Sequence, residues 1–388
     1  MKTFDWIVIG GGIAGAAVSY ELTKKGFSVL LLEQNATPQN ATRYSYGGLA
    51  YWSGTTVLTR ELCREGIERH RILSQELDAD TQFRELDLIL TIDAQDDPEQ
   101  VAAAYRRFAI PPTNLSVAEA CKLEPLLKPD AIAGALTLPH AQIQPEATAQ
   151  AYIQATIRAG GEMQIDQVLQ LVRDRASITS VRTRTATYNG KNIVVSAGGL
   201  SRMLLKNAGI NIRVYFTIAE MIETPPVEVR LSSCVMPANL KRFQLEASSS
   251  KVDALWNEPG KDIVPPILDP GAFQFTDGRI RMGQISRAQA DPHAKVDPTQ
   301  SEAAIRNNVG KVLPTIGNLP GTPHRCLVAF GNNSLPVVGA IPGMEGIYLF
   351  SGFTNPLVII PPLAQRFANW ASGKDDAIIT QLSPVLAL

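Results

Sequence analysis

Side chains able to do chemistry are sparse in this 388-residue chain. Its four histidines (His70, His140, His293, His324) stand far apart, as do its four cysteines (Cys63, Cys121, Cys234, Cys326). That spacing offers no CxxC pair, no metal ligand set and no disulfide framework, and it fits a reducing, cytoplasmic setting. No nucleophile–base–acid set is evident either. The pattern that does carry chemistry lies near the start, where "DWIVIGGGIAGA" from Asp5 fits G-x-G-x-x-G through Gly10, Gly12 and Gly15. Glycine at those places permits a tight turn, a close backbone approach to a pyrophosphate, and close helix–strand packing. Glu33 follows Gly10 by 23 positions, about where a carboxylate meets a ribose 2′-hydroxyl. Its charge would repel the 2′-phosphate of NADP.

The flanking segments are those that must hold such a loop. "WIVI" (Trp6 to Ile9) reads as a strand buried on both faces. "IAGAAVSYELTKKG" reads as a helix that packs through Ala14, Ala17, Val18 and Leu22 and ends at Gly26, with Lys24 and Lys25 at the negative end of its dipole. "FSVLLLEQ" is a second strand ending in Glu33. Together they point to a dinucleotide. NAD and FAD share this fingerprint, and no second G-x-G-x-x-G occurs in mid-chain. That leaves an NAD dehydrogenase or an FAD enzyme that oxidises its substrate directly.

Composition narrows the class. Hydrophobic residues make up 45% and charged ones 19%, enough for a large core, and the length suits two domains. The net charge of −1 and the lack of a basic run argue against nucleic acid as a partner. No apolar stretch reaches the ~20 residues of a transmembrane span. The short N-terminal apolar run, broken at Gly10 to Gly12, is not a signal peptide.

Three further segments decide between the cofactors. "NATRYSYGGLAYW" begins at Asn40, "KNIVVSAGGLSRMLL" at Lys191, and "SLPVVGAIPGMEGIYLFSGFTNPLVIIPPLAQRFANWASG" at Ser334. In that order the chain resembles the FAD-dependent D-amino-acid oxidase family, which includes glycine oxidase and sarcosine oxidase. The resemblance implies FAD as the cofactor and an α/β fold, with a Rossmann-like FAD-binding domain and a second, strand-rich α+β substrate domain. It places Gly10, Gly12, Ile13, Ala14 and Gly15 at the pyrophosphate, and Glu33 and Gln34 at the ribose. Thr42, Arg43, Ser45, Gly47, Gly48 and Leu49 would run under the pyrophosphate and along the flavin. Val168 would lie beside the adenine, with Ala197 and Gly198 packed on the cofactor. Gly352, Phe353, Thr354, Asn355, Pro356 and Leu357 would reach the flavin ring. Asn355 is a plausible cap for the last helix, with Pro356 at its first position, and Pro361 and Pro362 are expected to kink or restart that helix.

The FAD-binding domain is expected to be discontinuous, taking 1–80, 145–212 and 322–388, and the substrate domain 81–144 and 213–321. In the latter, "FRELDLILTI", "RVYFTIAEMIET", "AFQF" and "GRIRMGQI" read as strands, with Asp277-Gly278 as a hairpin turn. Ser116 and Glu119 form a capping box, and "ASSSKVD" near Ser248 reads as a loop.

The chain also departs from the resemblance. Val328 stands where a carboxylate-binding arginine is expected, and Asn333 replaces an acid. Arg281 is a substitute cation, Tyr46 a pocket residue, and these two are the candidate catalytic residues. Cys326 falls near the cysteine that sarcosine oxidases join to their flavin. The expected activity is hydride removal from a carbon bearing an amine, on a small-molecule substrate, with oxygen or another carrier as final acceptor and no metal. Alternatives are a hydroxy-acid or alcohol donor, or a non-catalytic flavin-binding module.

Overall fold

The computed structural model describes residues 2–384 except 259 and 261. In chain order the strands are β1 (Thr3–Ile9), β2 (Val29–Glu33), β3 (Gly48–Leu49), β4 (Arg84–Asp93), β5 (Thr113–Leu115), β6 (Ile132–Gln142), β7 (Glu162–Ile165), β8 (Val168–Asp174), β9 (Ser177–Thr183), β10 (Thr187–Val195), β11 (Val214–Glu223), β12 (Cys234–Pro237), β13 (Asp262–Gln274), β14 (Ile280–Gln289), β15 (Thr322–Gly331), β16 (Val337–Ala340) and β17 (Ile347–Ser351). They form two sheets, giving a mixed α/β fold with a Rossmann-like nucleotide-binding layer.

The first sheet runs β16-β17-β10-β1-β2-β7, with β17, β10, β1, β2 and β7 parallel and the β8–β9 hairpin attached through β10. Its central strands are covered on both faces, which is why they read as unbroken apolar runs. Ile7, Val8, Val194 and Val195 are all fully buried, each contributing on the order of 1.5–3 kcal/mol by leaving water. One face carries the helices Ile13–Lys24, Val57–Glu76, Pro145–Arg158 and Pro356–Ala371. The first of these ends as its sequence suggests, with Gly26 at φ +88° just past the cap.

The second sheet runs β15-β11-β14-β13-β12-β4-β6-β3 and is antiparallel except where β12 meets β4. The Asp277-Gly278 turn joins β13 to β14, with Gly278 N–H donating to Phe275 at 3.0 Å. The capping box on the helix Val117–Leu123 is present, with Ser116 and Glu119 bonded both ways. β15, grouped by its sequence position with the FAD-binding segments, is paired along its whole length with β11 of the second sheet.

Three local expectations need correcting. Pro361 and Pro362 lie inside one continuous helix, Pro356–Ala371, rather than breaking it. Pro361 removes the N–H that would bond the Leu357 carbonyl, and His70 Nε2 takes that carbonyl instead at 2.7 Å. Asn355 does not cap this helix. Its amide turns away and donates to Ala50 O at 3.0 Å and Ser53 Oγ at 3.1 Å. The "ASSS" stretch belongs to a helix, Lys241–Ser250, which buries Leu245, Glu246, Ser249 and Ser250. β13 also extends well before "AFQF", in spite of Pro265, Pro266 and Pro270. Register shifts sit between Val264 and Ile267 and between Leu268 and Gly271, and such irregularities are where a strand tolerates proline. Among the described residues no helix is long and apolar enough to cross a membrane.

Candidate active site

Five parallel strands end side by side, and the chain turns away after each of them. Ligands of open α/β sheets bind at that edge. A cavity of about 250 Å³ lies there, and much of its lining is drawn from those turns. Gly10, Gly12, Ile13 and Ala14 follow β1, and Glu33 and Gln34 close β2. Val168 follows β7, Ala197 and Gly198 follow β10, and Gly352 and Phe353 follow β17. Thr42 and Pro356 complete this side.

The glycines differ in the space around them. A Cβ on Gly15 would lie 1.8 Å from the Gly10 carbonyl, and one on Gly10 would lie 2.5 Å from the Ser196 carbonyl. Those two positions are packed shut. At Gly12, by contrast, an added Cβ would meet only Thr42 Oγ1 at 3.2 Å and Asn40 Nδ2 at 3.9 Å, and at Gly198 nothing within 4 Å. The backbone is bare toward the cavity where a pyrophosphate needs it. Gly12 is also the N-cap of the first helix and brings no side chain to it, so the helix's positive end faces the cavity. The Thr42 hydroxyl accepts from Ile13 N–H at 3.0 Å. Glu33 accepts from Gly11 N–H at 2.7 Å through one oxygen and from Asn35 N–H at 3.0 Å through the other. This donor-rich cradle beside a carboxylate suits a dinucleotide with a free ribose.

A second, larger cavity of about 980 Å³ lies toward the other sheet. The segment from Gly352 to Ile360 lines both, with Gly352, Phe353, Pro356 and Ile360 facing the first and Thr354, Asn355 and Ile359 the second. Ser45, Tyr46 and Gly48 belong to the second cavity, with Trp52, His140 and Phe273. The rings of Tyr46 and Phe273 lie 5.2 Å apart. Trp52 Nε1–H points at His140 Nδ1, at 3.3 Å. An indole nitrogen only donates, so His140 carries its single proton on Nε2. Burial pushes this imidazole down to about 3 and pushes the Tyr46 phenol well above its usual range. Both groups are therefore uncharged at neutral pH.

Other predicted residues stand elsewhere. Gly47 (φ +79°) packs against the Ile143 carbonyl, Leu49 is fully buried core, and Leu357 is buried with its carbonyl held by His70. Arg43 and Arg281 line neither cavity. Arg43 grips both oxygens of Glu223, at 2.9 and 2.8 Å, and lies 3.2 Å from Glu146. Arg281 sits on the interior strand β14, fully buried, 2.7 Å from Glu223, and donates to the Ser45 carbonyl. Arg279, on the turn before β14, is 3.4 Å from the same carboxylate. Burial opposes the charge on Glu223, but hydrogen bonds from Arg43 and Arg281 outweigh it and hold the carboxyl at about 2. Val328 lines the first cavity and Asn333 the second. Cys326 lines neither; burial pushes its thiol up to about 12.

The sequence reading missed the polar residues of the second cavity: His140, Arg242, Glu246 and Asp269. Apart from Arg242 and Glu246, one turn apart on the helix Lys241–Ser250, no short-range spacing joins them, since His140 comes from β6 and Asp269 from β13. Among the described residues no group of three or more histidine, cysteine, aspartate or glutamate side chains is placed to hold a metal.

Comparison with known proteins gives the same picture. The family described as FAD dependent oxidoreductase matches residues 5–370. An uncharacterized oxidoreductase of Bacillus subtilis, YurR, is 24% identical over 98% of this chain and 97% of its own length. Glycine oxidase of Geobacillus kaustophilus is 25% identical over 96% of this chain and 94% of its own. The crystal structure of that organism's glycine oxidase superposes with a TM-score of 0.80, covering 100% of both chains at 19% identity.

Proposed function

The chain belongs to the FAD-dependent oxidoreductase family, and from that membership we propose that it oxidises a small molecule at a carbon bearing an amine. Bound FAD supplies an acceptor for the hydride at its N5 atom. Gly10 to Gly15, Glu33, Thr42, Val168, Ala197, Gly198 and Gly352 to Pro356 would hold it. The protein's own task is then to position the substrate, keep water out, and leave the reacting nitrogen unprotonated.

One observation carries this reading. The substrate-sized cavity shares the Gly352–Ile360 segment with the nucleotide cavity, and burial keeps two of its lining groups, His140 and Tyr46, uncharged. Uncharged neighbours favour an amine over an ammonium. Ser45 and Gly48 line the same cavity, and Arg281 fixes the Ser45 carbonyl from behind. Arg281 is thus a positioning residue. Full-length relatives named as glycine oxidase support an amine as donor. Loss of hydride would leave the substrate as an iminium, which water hydrolyses to a carbonyl compound and the free amine or ammonia, with oxygen or another carrier re-oxidising the cofactor.

The test is anaerobic mixing of the FAD-loaded protein with a panel of amines, 2-hydroxy acids and alcohols. Loss of the flavin's visible absorption with amines alone is the expected result. Loss with hydroxy acids or alcohols alone would transfer the reading to a C–OH donor. No bleaching by any of them would leave a flavin-binding module.

A further inference from the structure

The second cavity contains two carboxyl groups for which hydride removal has no use. Asp269 on β13 is 6% exposed, and Glu246 on the helix Lys241–Ser250 is 3% exposed. Both line the cavity. Asp269 Oδ1 and Glu246 Oε2 have no hydrogen-bond partner, and neither do the buried Tyr46 hydroxyl, His140 Nε2 and Thr354 Oγ1 of the same walls. Buried polar atoms are normally paired. Five orphans around one cavity mark a place where a bound molecule supplies the partners.

The charges indicate which kind of molecule. Arg242 is the cation nearest both acids, its Nε 3.2 Å from Glu246. Arg107 and Lys241 are exposed, Arg107 at the cavity's edge and Lys241 beside Arg242. With both acids ionised, the interior holds one more negative charge than Arg242 balances. Burial raises the proton affinity of both acids; Arg242 offsets this only in part, as do a hydrogen bond from Asn239 and the charge of Lys241 at Asp269. A ligand cation would relieve that penalty.

The reacting nitrogen is not that cation. A carboxylate against it would hold it as an ammonium, the form that cannot release hydride from its neighbouring carbon. Neither acid lines the nucleotide cavity, and Asp269 stands apart from Gly48, which the amine reading sets along the flavin. Phe273 borders Gly48, where an added Cβ would meet its Cε1 at 3.0 Å, and Asp269 is four residues further along the same strand. At ~3.3 Å per residue, less a bulge, that is about 10 Å. A cavity of about 980 Å³ also exceeds what a two-carbon amino acid needs.

We propose that Asp269 and Glu246 bind a second, non-reacting cationic group of the substrate, so that the substrate is a diamine or an amine with another basic nitrogen several bonds away. This rests on the amine reading above, but its test does not depend on turnover. Calorimetric titration of the FAD-loaded protein, kept anaerobic, compares 1,5-diaminopentane, 1-aminopentane and 5-aminopentanoate. The diamine should bind about 30-fold tighter than the monoamine, the scale expected for one buried charge pair. Asp269→Asn and Glu246→Gln should each erase most of that margin. Equal binding of diamine and monoamine by the unmodified protein overturns the proposal, whether or not either variant folds. Tightest binding by 5-aminopentanoate also overturns it and makes Arg242 the anchor. If Asp269→Asn leaves the margin intact but removes the acid limb of the bleaching rate's pH profile, Asp269 is a base and the proposal fails. A diamine margin without any bleaching would uphold the cation site and count against amine oxidation alone.

Discussion

His70 Nε2 lies 2.7 Å from the carbonyl oxygen of Leu357, the acceptor that Pro361 leaves without its helical partner. The neighbouring carbonyl, on Val358, is freed in turn by Pro362. It lies against Gly66, where an added Cβ would be 2.1 Å away. The helix Val57–Glu76 thus presents an imidazole and a bare backbone, one turn apart, to the two gaps that paired prolines create. The first turn of the helix Pro356–Ala371, which reaches both cavities, is fixed by these contacts.

This bond has a pH signature. Burial pushes His70 down from 6.5 to about 4, against the pull of the Leu357 carbonyl. Between those values the unfolded chain binds a proton that the folded one refuses. Folding stability therefore falls as pH drops through that window, by about 1.4 kcal/mol per pH unit from this residue. His70→Gln keeps an N–H donor and cannot titrate. Its urea-denaturation stability, followed from pH 6.5 to pH 4, should fall about 1.4 kcal/mol per unit less steeply than the unmodified protein's.

Glu33 organises the nucleotide loop before any ligand arrives, through Gly11 and Asn35. Glu33→Ala loses those bonds and the expected ribose contact together. Fluorescence titration of the flavin-free protein should show FAD binding weakened about 10- to 100-fold, as expected for a lost charged hydrogen bond. Gly15→Ala sets a methyl group 1.8 Å from the Gly10 carbonyl, and should retain no FAD through gel filtration.

Glu223 is shared by Arg43, Arg279 and Arg281. Glu223→Gln leaves these guanidinium groups facing one another around a neutral amide. Removing one partner from a buried ion pair destabilises by about 3–5 kcal/mol, and urea melts at neutral pH should show a loss of that order. The carboxyl's depressed value of about 2 means that the unfolded chain takes up its proton first as pH falls. The advantage is present above 4.5 and disappears between 4.5 and about 2, so the unmodified protein and the variant should converge in stability across that range.

Cys326 sits on β15 opposite Ala219 of β11, 6% exposed, with its thiol at about 12. A thiol so far from its reactive form makes a poor nucleophile. Acid precipitation of the FAD-loaded protein should leave all the flavin in the supernatant, and Cys326→Ser should carry as much FAD as the parent chain.

What could be read from the sequence was local. The β1–helix–β2 unit, its glycines and Glu33 lie within one short stretch, and each residue's type follows from its immediate neighbours. The capping box at Ser116 and the turn at Asp277-Gly278 were legible for the same reason. The proline-bearing helix was not, because what rescues it stands almost 300 positions away, at Gly66 and His70. Arg281 read as a substitute cation for the substrate. Only the sheet order shows β14 enclosed between β11 and β13, with Glu223 waiting for it. Asp269, Glu246 and His140 meet only once β13, β6 and the helix Lys241–Ser250 have packed, so no motif announces them.

The order of strands also sets a timetable for synthesis. β10 is flanked by β1 on one side and by β17 on the other. A nascent chain can pair the first two soon after Val195 emerges, yet Ile347–Ser351 leaves the ribosome far later. Until then one apolar edge of the nucleotide-binding layer is open to other chains, the kind of exposure that invites aggregation or chaperone capture. Translation that stalls anywhere in that interval should yield insoluble product.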